Sequence, residues 1–223
     1  MLHGYGANKE SFSRQIAFFS RFMRVIAVDM SGFGQTPEPD RPYSLEDYAA
    51  EIKRVIDDTG EEKIDVLAHS FGARVAVRLL KNDNRIDKLI FTGAAGLKPK
   101  RNFRYRVRRA SFLLLKNFLP REKLKRFYSS DYVGLSPIMK ESFKKIIAET
   151  LDKEYAKITN NTLLIFGKKD KTTPPYMARK MKRLMKNSRL VMIGGAGHFC
   201  FVDKPREFNG LAFSFLTSGD KNG

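Results

Sequence analysis

Ser70 is the residue in this sequence best placed to act as a nucleophile. It stands in the stretch Val66-Leu67-Ala68-His69-Ser70-Phe71-Gly72-Ala73. An apolar run from Ile64 to Ala68 leads into it, and a helical pattern from Ala73 to Lys81 leads away. Small residues stand two positions before and two after, at Ala68 and Gly72. A sharp strand-to-helix turn strains its apex residue, and flanking side chains larger than a methyl would strike the neighbouring strand and helix. The apex hydroxyl then stands exposed, and the next backbone N–H, that of Phe71, points at whatever the serine attacks. A serine hydroxyl is a poor nucleophile at neutral pH, so such a turn needs a base within reach. The chain has three histidines, His3, His69 and His198.

The turn resembles the nucleophile elbow of the alpha/beta-hydrolase family, written G-x-S-x-G, with Ala68 in place of the first glycine. That departure is mild, because the position asks only for smallness. Other stretches carry the same resemblance. His3-Gly4-Tyr5-Gly6 is similar to the family's H-G-x-G loop. It implies that the Tyr5 backbone N–H joins that of Phe71 in an oxyanion hole, where each donor is typically worth about 3 kcal/mol. Gly167-Lys168-Lys169-Asp170 resembles the G-x-x-D loop after the seventh strand, which implies Asp170 as the triad acid. Gly197-His198 resembles the G-H loop after the last strand; His3 and His69 belong to other motifs, so His198 is the implied base. The order Ser70, Asp170, His198 is the family's order. Asp29 to Thr36 is similar to the family's D-x-x-G-x-G-x-S/T loop, and Asp29 is read as structural. Cys200, two residues past His198, is read as a buried packing residue.

The resemblance implies a serine hydrolase of the carboxylesterase or lactonase kind. It would cleave an ester-type bond of a small organic substrate through an acyl-enzyme, with no metal or organic cofactor. Serine at position 70 argues against the dehalogenase branch, which uses aspartate there. Hydrolysis of carbon–carbon, thioester or amide bonds by the same triad stays open, as does a non-catalytic, ligand-binding role on the same fold.

The elements that must hold these residues alternate between strand and helix, which reads as an α/β protein with a mostly parallel sheet flanked by helices. Helices are expected over Ser11 to Arg21, Ser44 to Thr59, Met177 to Met185 and Pro205 to Leu216. Strands are expected over Phe22 to Asp29, Lys63 to His69, Ile86 to Thr92, Thr162 to Phe166 and Leu190 to Ile193. Ser44 and Asp47 have capping-box spacing, and Gly60 stops that helix. Residues 1–96 and 161–223 are assigned to the hydrolase core and 97–160 to a helical lid insert. In the family, two more strands and most of a third precede the H-G-x-G loop. Only Met1 and Leu2 stand before His3 here, so a gap in the sheet is expected between Val25 and Val66, and the chain is expected to begin late.

At 223 residues the chain is long enough for one domain with a sizeable core. Its formal net charge of +18 is unevenly spread. Lys98 to Arg126 holds twelve basic residues against one acid, Glu122, a net +11. A solvated lid face is the plain reading of this run. A lid that draws an anionic substrate, or is weakly attracted to an anionic membrane surface, is the functional one. No zinc, helix-turn-helix or RNA-recognition pattern accompanies the charge, so no nucleic-acid partner is expected. The single cysteine, Cys200, excludes an internal disulfide and fits a reducing compartment, so a cytoplasmic protein is expected.

Overall fold

The structure, a computed structural model, describes residues 1–99 and 134–219. The basic run and the apolar stripe beyond it therefore fall outside the described residues, apart from the start of the run at Lys98. A 3-10 turn, Lys9–Phe12, leads into α1 (Ser13–Phe19). Then follow α2 (Leu45–Thr59), β1 (Ile64–His69), α3 (Phe71–Leu79) and β2 (Ile86–Thr92). After the undescribed stretch come α4 (Pro137–Ala148), α5 (Asp152–Tyr155), β3 (Thr162–Gly167) and α6 (Pro175–Leu184). The chain closes with β4 (Ser188–Ile193), α7 (Cys200–Asp203) and α8 (Pro205–Thr217). Among the described residues no helix is long and apolar enough to cross a membrane.

The strands form a four-stranded sheet in the order β1-β2-β3-β4, every pair parallel. Strand side chains alternate between two faces, and here both faces are apolar. Val66, Ala68, Leu89, Phe91, Leu164 and Phe166 pack into one core with residues of α2, α3 and α6. Leu67, Ile90, Leu163, Ile165 and Ile193 pack into the other with α1, α7 and α8. Continuous apolar strands of this kind are buried between helical layers, which is why their sequence shows no polar alternation. The helix ends follow their local chemistry. Ser44 and Asp47 form the reciprocal capping box, and Gly60 closes α2 in the left-handed conformation at φ 69°.

Two expectations need correction. The segment Ser11 to Arg21 is not one helix but a 3-10 turn followed by α1. Phe22 to Asp29, an apolar stretch with good strand pattern, forms no ladder; only Val28 makes an isolated bridge, to Leu2. A strand is defined by its partners as much as by its side chains, and among the described residues this segment has Met1, which bonds Ile26 and Val28, and Leu2, which bridges Val28. Leu2 bridges Ala68 of β1 on its other side. A cleft of about 300 Å³ lies beside this segment, lined among others by Leu2, Val25, Ile26, Ile64 and Val66.

The stretch from α4 to α5 is tied to α3 and to the loop after β2. Arg74 of α3 donates from Nη1 to the carbonyls of Ile146 and Glu149 at 2.9 and 3.0 Å, where α4 ends. A cation at the last carbonyls of a helix meets the negative end of its dipole. Leu151 N–H donates to the Gly96 carbonyl at 2.8 Å, and the Tyr155 hydroxyl to the Ala95 carbonyl at 2.6 Å.

Candidate active site

Ser70 lies between the last residue of β1 and the first of α3, with φ 50° and ψ −104°. It is the only non-glycine residue with positive φ among the described residues. Such a conformation costs about 1–3 kcal/mol and persists only where its surroundings fix it. Here the Ser70 N–H donates to the Thr92 carbonyl at 3.0 Å, and the Ser70 carbonyl accepts from Ala95 N–H at 3.1 Å. Both partners lie at the end of β2. Phe71 opens α3, so its N–H has no partner within the helix and stands at the positive end of the dipole.

Gly72 is held more tightly than the sequence indicates. A β-carbon there would lie 2.3 Å from the Leu2 carbonyl oxygen and 2.8 Å from that of His3. Both are backbone atoms of the loop that packs on the elbow, so even a methyl does not fit. Gly72→Ala is expected to destabilise the fold by about 3 kcal/mol, in the range of overpacked buried sites. Urea unfolding would read this as a lowered midpoint with an unchanged slope; a midpoint equal to wild type would show that the loop does not press on the elbow.

That loop, His3 to Gly6, is fixed by His3. Met30 N–H donates to His3 Nε2 at 3.1 Å, which leaves Nδ1 to donate to the Gly4 carbonyl at 2.8 Å. Burial lowers the His3 pKa, favouring this neutral form. A β-carbon on Gly4 would lie 2.7 Å from His69 Nδ1 and 3.5 Å from Ser70 Cβ, so the loop runs directly against the serine. The Tyr5 ring packs edge-on against Phe71 at 5.3 Å, and its hydroxyl donates to the Met139 carbonyl of α4 at 3.0 Å. Tyr5 and Phe71 are thus in contact, and Tyr5 also ties the loop to α4.

Asp170 follows β3 and His198 follows β4. Lys169 N–H donates to the Ala196 carbonyl at 2.8 Å, which stitches their two loops together. His198 Nδ1 lies 2.9 Å from Asp170 Oδ2. A carboxylate only accepts, so Nδ1 carries the proton and Nε2 is left as an acceptor. Asp170 also accepts from the backbone N–H groups of Thr172 and Thr173 at 2.8 and 2.9 Å, and from the Thr173 hydroxyl at 2.8 Å. Burial alone would raise its pKa, but the bonds from His198 and Thr173 hold it below the ordinary value. It is therefore an ionised carboxylate at neutral pH.

The third histidine has a positioning place. His69 Nε2 lies 3.2 Å from the His198 carbonyl, and the two rings are 4.7 Å apart. A carbonyl requires a donor, so Nε2 carries the proton. Burial pushes the His69 pKa down to about 3, which keeps the ring neutral. Gly93, one residue beyond the Thr92 that accepts from Ser70, lies against the His198 ring. Ser70 thus follows β1, and the paired Asp170 and His198 follow β3 and β4, all at the carboxyl ends of strands, where ligands meet parallel sheets. Neither Thr173 nor His69 stood out in the sequence. An aspartate followed two and three residues later by threonines is a turn signal that marks the first; nothing local marks the second.

Cys200 is fully buried, with Sγ 3.1 Å from Thr92 Oγ1, and burial pushes its thiol up to about 11. It packs, as expected. Asp29 is likewise engaged away from Ser70. It accepts from Lys9 N–H at 2.7 Å, Lys9 Nζ at 2.8 Å and Gln35 N–H at 3.1 Å. Burial would raise its pKa, but these bonds hold it at about 2. Stability from this shift is present above the unfolded value, about 3.9, and is lost as the pH falls through the folded one. Asp29→Asn is therefore expected to cost about 2 kcal/mol at pH 6 and much less at pH 2. Urea titrations of both proteins at the two pH values check this, and an equal difference at both would remove the ion pair as its cause. Among the described residues no group of three or more His, Cys, Asp or Glu is arranged to hold a metal ion.

Residues 1–211 match the model of the alpha/beta hydrolase family. A pimeloyl-(acyl-carrier protein) methyl ester esterase of Neisseria meningitidis is 28% identical, over 98% of this chain and 92% of its own. A 2-hydroxy-6-oxo-6-(2'-aminophenyl)hexa-2,4-dienoic acid hydrolase of Metapseudomonas resinovorans is 26% identical, over 97% of this chain and 83% of its own. The solved structure of an esterase from Exiguobacterium antarcticum superposes with a TM-score of 0.78 at 26% identity, covering 98% of this chain and 91% of that one. The chain belongs to the alpha/beta hydrolase family. It is an alpha/beta-fold hydrolase.

Proposed function

We propose that the protein is a serine hydrolase that cleaves an ester of a small organic substrate, with Ser70 as nucleophile, His198 as base and Asp170 as the acid that orients it. The observation that carries this reading is the ionised Asp170 on His198 Nδ1, which fixes the imidazole in the tautomer a serine base needs. Ser70 Oγ attacks the carbonyl carbon while its proton passes to His198 Nε2. The carbonyl oxygen becomes an oxyanion facing the N–H groups of Phe71 and Tyr5. Collapse expels the alcohol, which takes the proton back from His198, and leaves an acyl-serine. Water, deprotonated by His198, then attacks the acyl carbon and frees the acid. Residues 97–160 serve as the lid that shapes the pocket, with Tyr5 linking oxyanion loop and α4. The ester esterases among the relatives support the bond type. The dienoic acid hydrolases support a second reading, cleavage of a carbon–carbon bond next to a ketone with the same residues.

The test is a fluorophosphonate probe followed by a substrate panel. One covalent adduct on the folded protein, with turnover of short-chain p-nitrophenyl esters, supports the ester reading. Adduct without ester turnover, together with cleavage of a 2-hydroxy-6-oxo-dienoic acid, favours the second. A cooperatively folded protein that takes no adduct overturns both.

A further inference from the structure

The excess charge of the chain lies in two segments. Residues 98–126 carry a net +11, and residues 168–189 hold nine cations against Asp170 alone, a net +8. The whole chain carries +18, so everything outside the two segments comes to −1. The structure sets the first residue of one segment on the middle of the other. Lys180 Nζ of α6 donates to the Lys98 carbonyl at 3.3 Å, and Lys98 N–H donates to Asp152 Oδ2 of α5 at 2.9 Å.

Within the second segment the helix period sorts the cations. Met177, Ala178, Met181 and Met185 turn into the core. Arg179, Lys182, Arg183 and Lys186 stand away from it, on and just past α6, with Arg179, Arg183 and Lys186 exposed. Lys153 of α5 and Arg189 of β4 are exposed on elements that pack against α6. Helix residues three and four apart are neighbours, and like charges there repel. Elsewhere the chain pairs such neighbours, Lys53 with Asp57 and Lys144 with Glu141. Here no Asp or Glu occurs from residue 171 to residue 202. Lys180 is paired with Asp152, but among the described residues Arg179, Lys182, Arg183 and Lys186 have no ion pair. A row held at repulsive spacing without acids is complemented by anions from outside the chain.

The composition of the face selects the anion. A protein partner asks for an apolar centre inside the charged rim. The exposed large apolar residues among those described are Phe22, Ile147, Phe199 and Val202, and none belongs to α5, α6 or β4. A nucleic acid is gripped by amides and aromatic rings as well as by cations. Asn187, the amide beside the row, is committed to the Thr159 carbonyl at 2.8 Å. A plane of anionic headgroups asks for cations alone, spread in two directions, and three adjacent elements supply them.

We propose that the outer face of α6, with Lys153 and Arg189 beside it, docks the protein on an anionic phospholipid surface at the level of the headgroups. The contact is electrostatic, and it does not depend on which bond the enzyme cleaves.

The test sediments the full chain with vesicles of phosphatidylcholine containing about one third phosphatidylglycerol, at about 0.05 M and about 0.5 M salt. Binding is expected at low salt, at least about tenfold weaker at high salt, and absent with pure phosphatidylcholine. Arg183→Glu/Lys186→Glu is expected to bind at least about thirtyfold more weakly than wild type, and Arg183→Gln/Lys186→Gln about tenfold. Arg21→Glu/Arg206→Glu makes the same change of charge on α8 and just past α1, in the layer on the other side of the sheet, and is expected to stay within about threefold of wild type. Thermal melts establish that each variant folds, and the glutamine pair decides should the glutamate pair fail to. Equal losses on the two sides of the sheet would mean that net charge alone draws the protein, and would overturn the proposal. So would vesicle binding that the α6 variants leave unchanged, wild type that stays in the supernatant at low salt, or preference for a DNA duplex at equal phosphate concentration.

Discussion

Ser70→Ala is expected to lower kcat/KM for the best ester substrate by about 10⁵-fold or more, and to abolish the fluorophosphonate adduct. Triad members act as a unit, so removing the nucleophile leaves only the rate supplied by the oxyanion donors and by binding. Only one oxygen is lost, and among the described residues no hydrogen bond of the Ser70 side chain holds the fold, so the melting temperature should stay within about 2 °C of wild type. Ser70→Gly separates chemistry from strain. Glycine adopts φ 50° without the penalty that serine bears there, so this variant should be as inactive as the alanine one and more stable than wild type by about 1 kcal/mol. Parallel kinetics and melts of the three proteins read both effects. An alanine variant retaining a tenth of the wild-type rate would remove Ser70 from the mechanism. A glycine variant less stable than wild type would show that the turn is not strained.

How far the sequence reveals this molecule depends on whether a signal is local. The elbow is local: a strand, a small residue, a serine and a glycine suffice, and the structure places Ser70 at the strained apex those residues demand. The capping box at Ser44 and Asp47 and the stop at Gly60 are equally local, and both are present as read. β2 runs over Ile86–Thr92 with the bounds its apolar run gives. Phe22 to Asp29 has as good a strand pattern and forms no ladder, because pairing is supplied by a neighbour, and among the described residues its bonds go to Met1 and its one bridge to Leu2. The same distinction divides the site. That Asp170 and His198 meet rests on loops 28 positions apart, which family likeness foretold and spacing could not. The bond from Tyr5 to Met139 spans 134 positions, and that from His69 to the His198 carbonyl spans 129. No periodicity or turn rule reaches so far. The strictness of Gly72 was likewise hidden, because its obstacle is the backbone of Leu2 and His3 rather than a nearby side chain.

Asp170→Asn is the sharper test of the base, since it changes one functional group and leaves the shape. The amide oxygen can still accept from the Thr172 and Thr173 N–H groups, so the loop should hold its place. The amide nitrogen then faces His198 Nδ1 as a donor, where the carboxylate had accepted. The ring answers by moving its proton to Nε2, and Nε2 can no longer take one from Ser70. A loss of about 10⁴ in kcat is expected from the wrong tautomer alone. Phosphonylation by the fluorophosphonate, in which the serine oxygen displaces fluoride from phosphorus, needs the same proton transfer, so its rate should fall by a similar factor. The variant should also lose a pH effect. The folded-state pKa of Asp170 is lowered, so its contribution to stability is present above the unfolded value and disappears as the pH falls through the folded one. The amide of the variant does not titrate, and the stability difference from wild type should shrink in acid. Should Asp170→Asn keep more than a tenth of the wild-type rate, the orienting acid must be sought elsewhere. Asp203 is then the next candidate, because its carboxylate accepts from Gly197 N–H at 2.7 Å, one residue before the base.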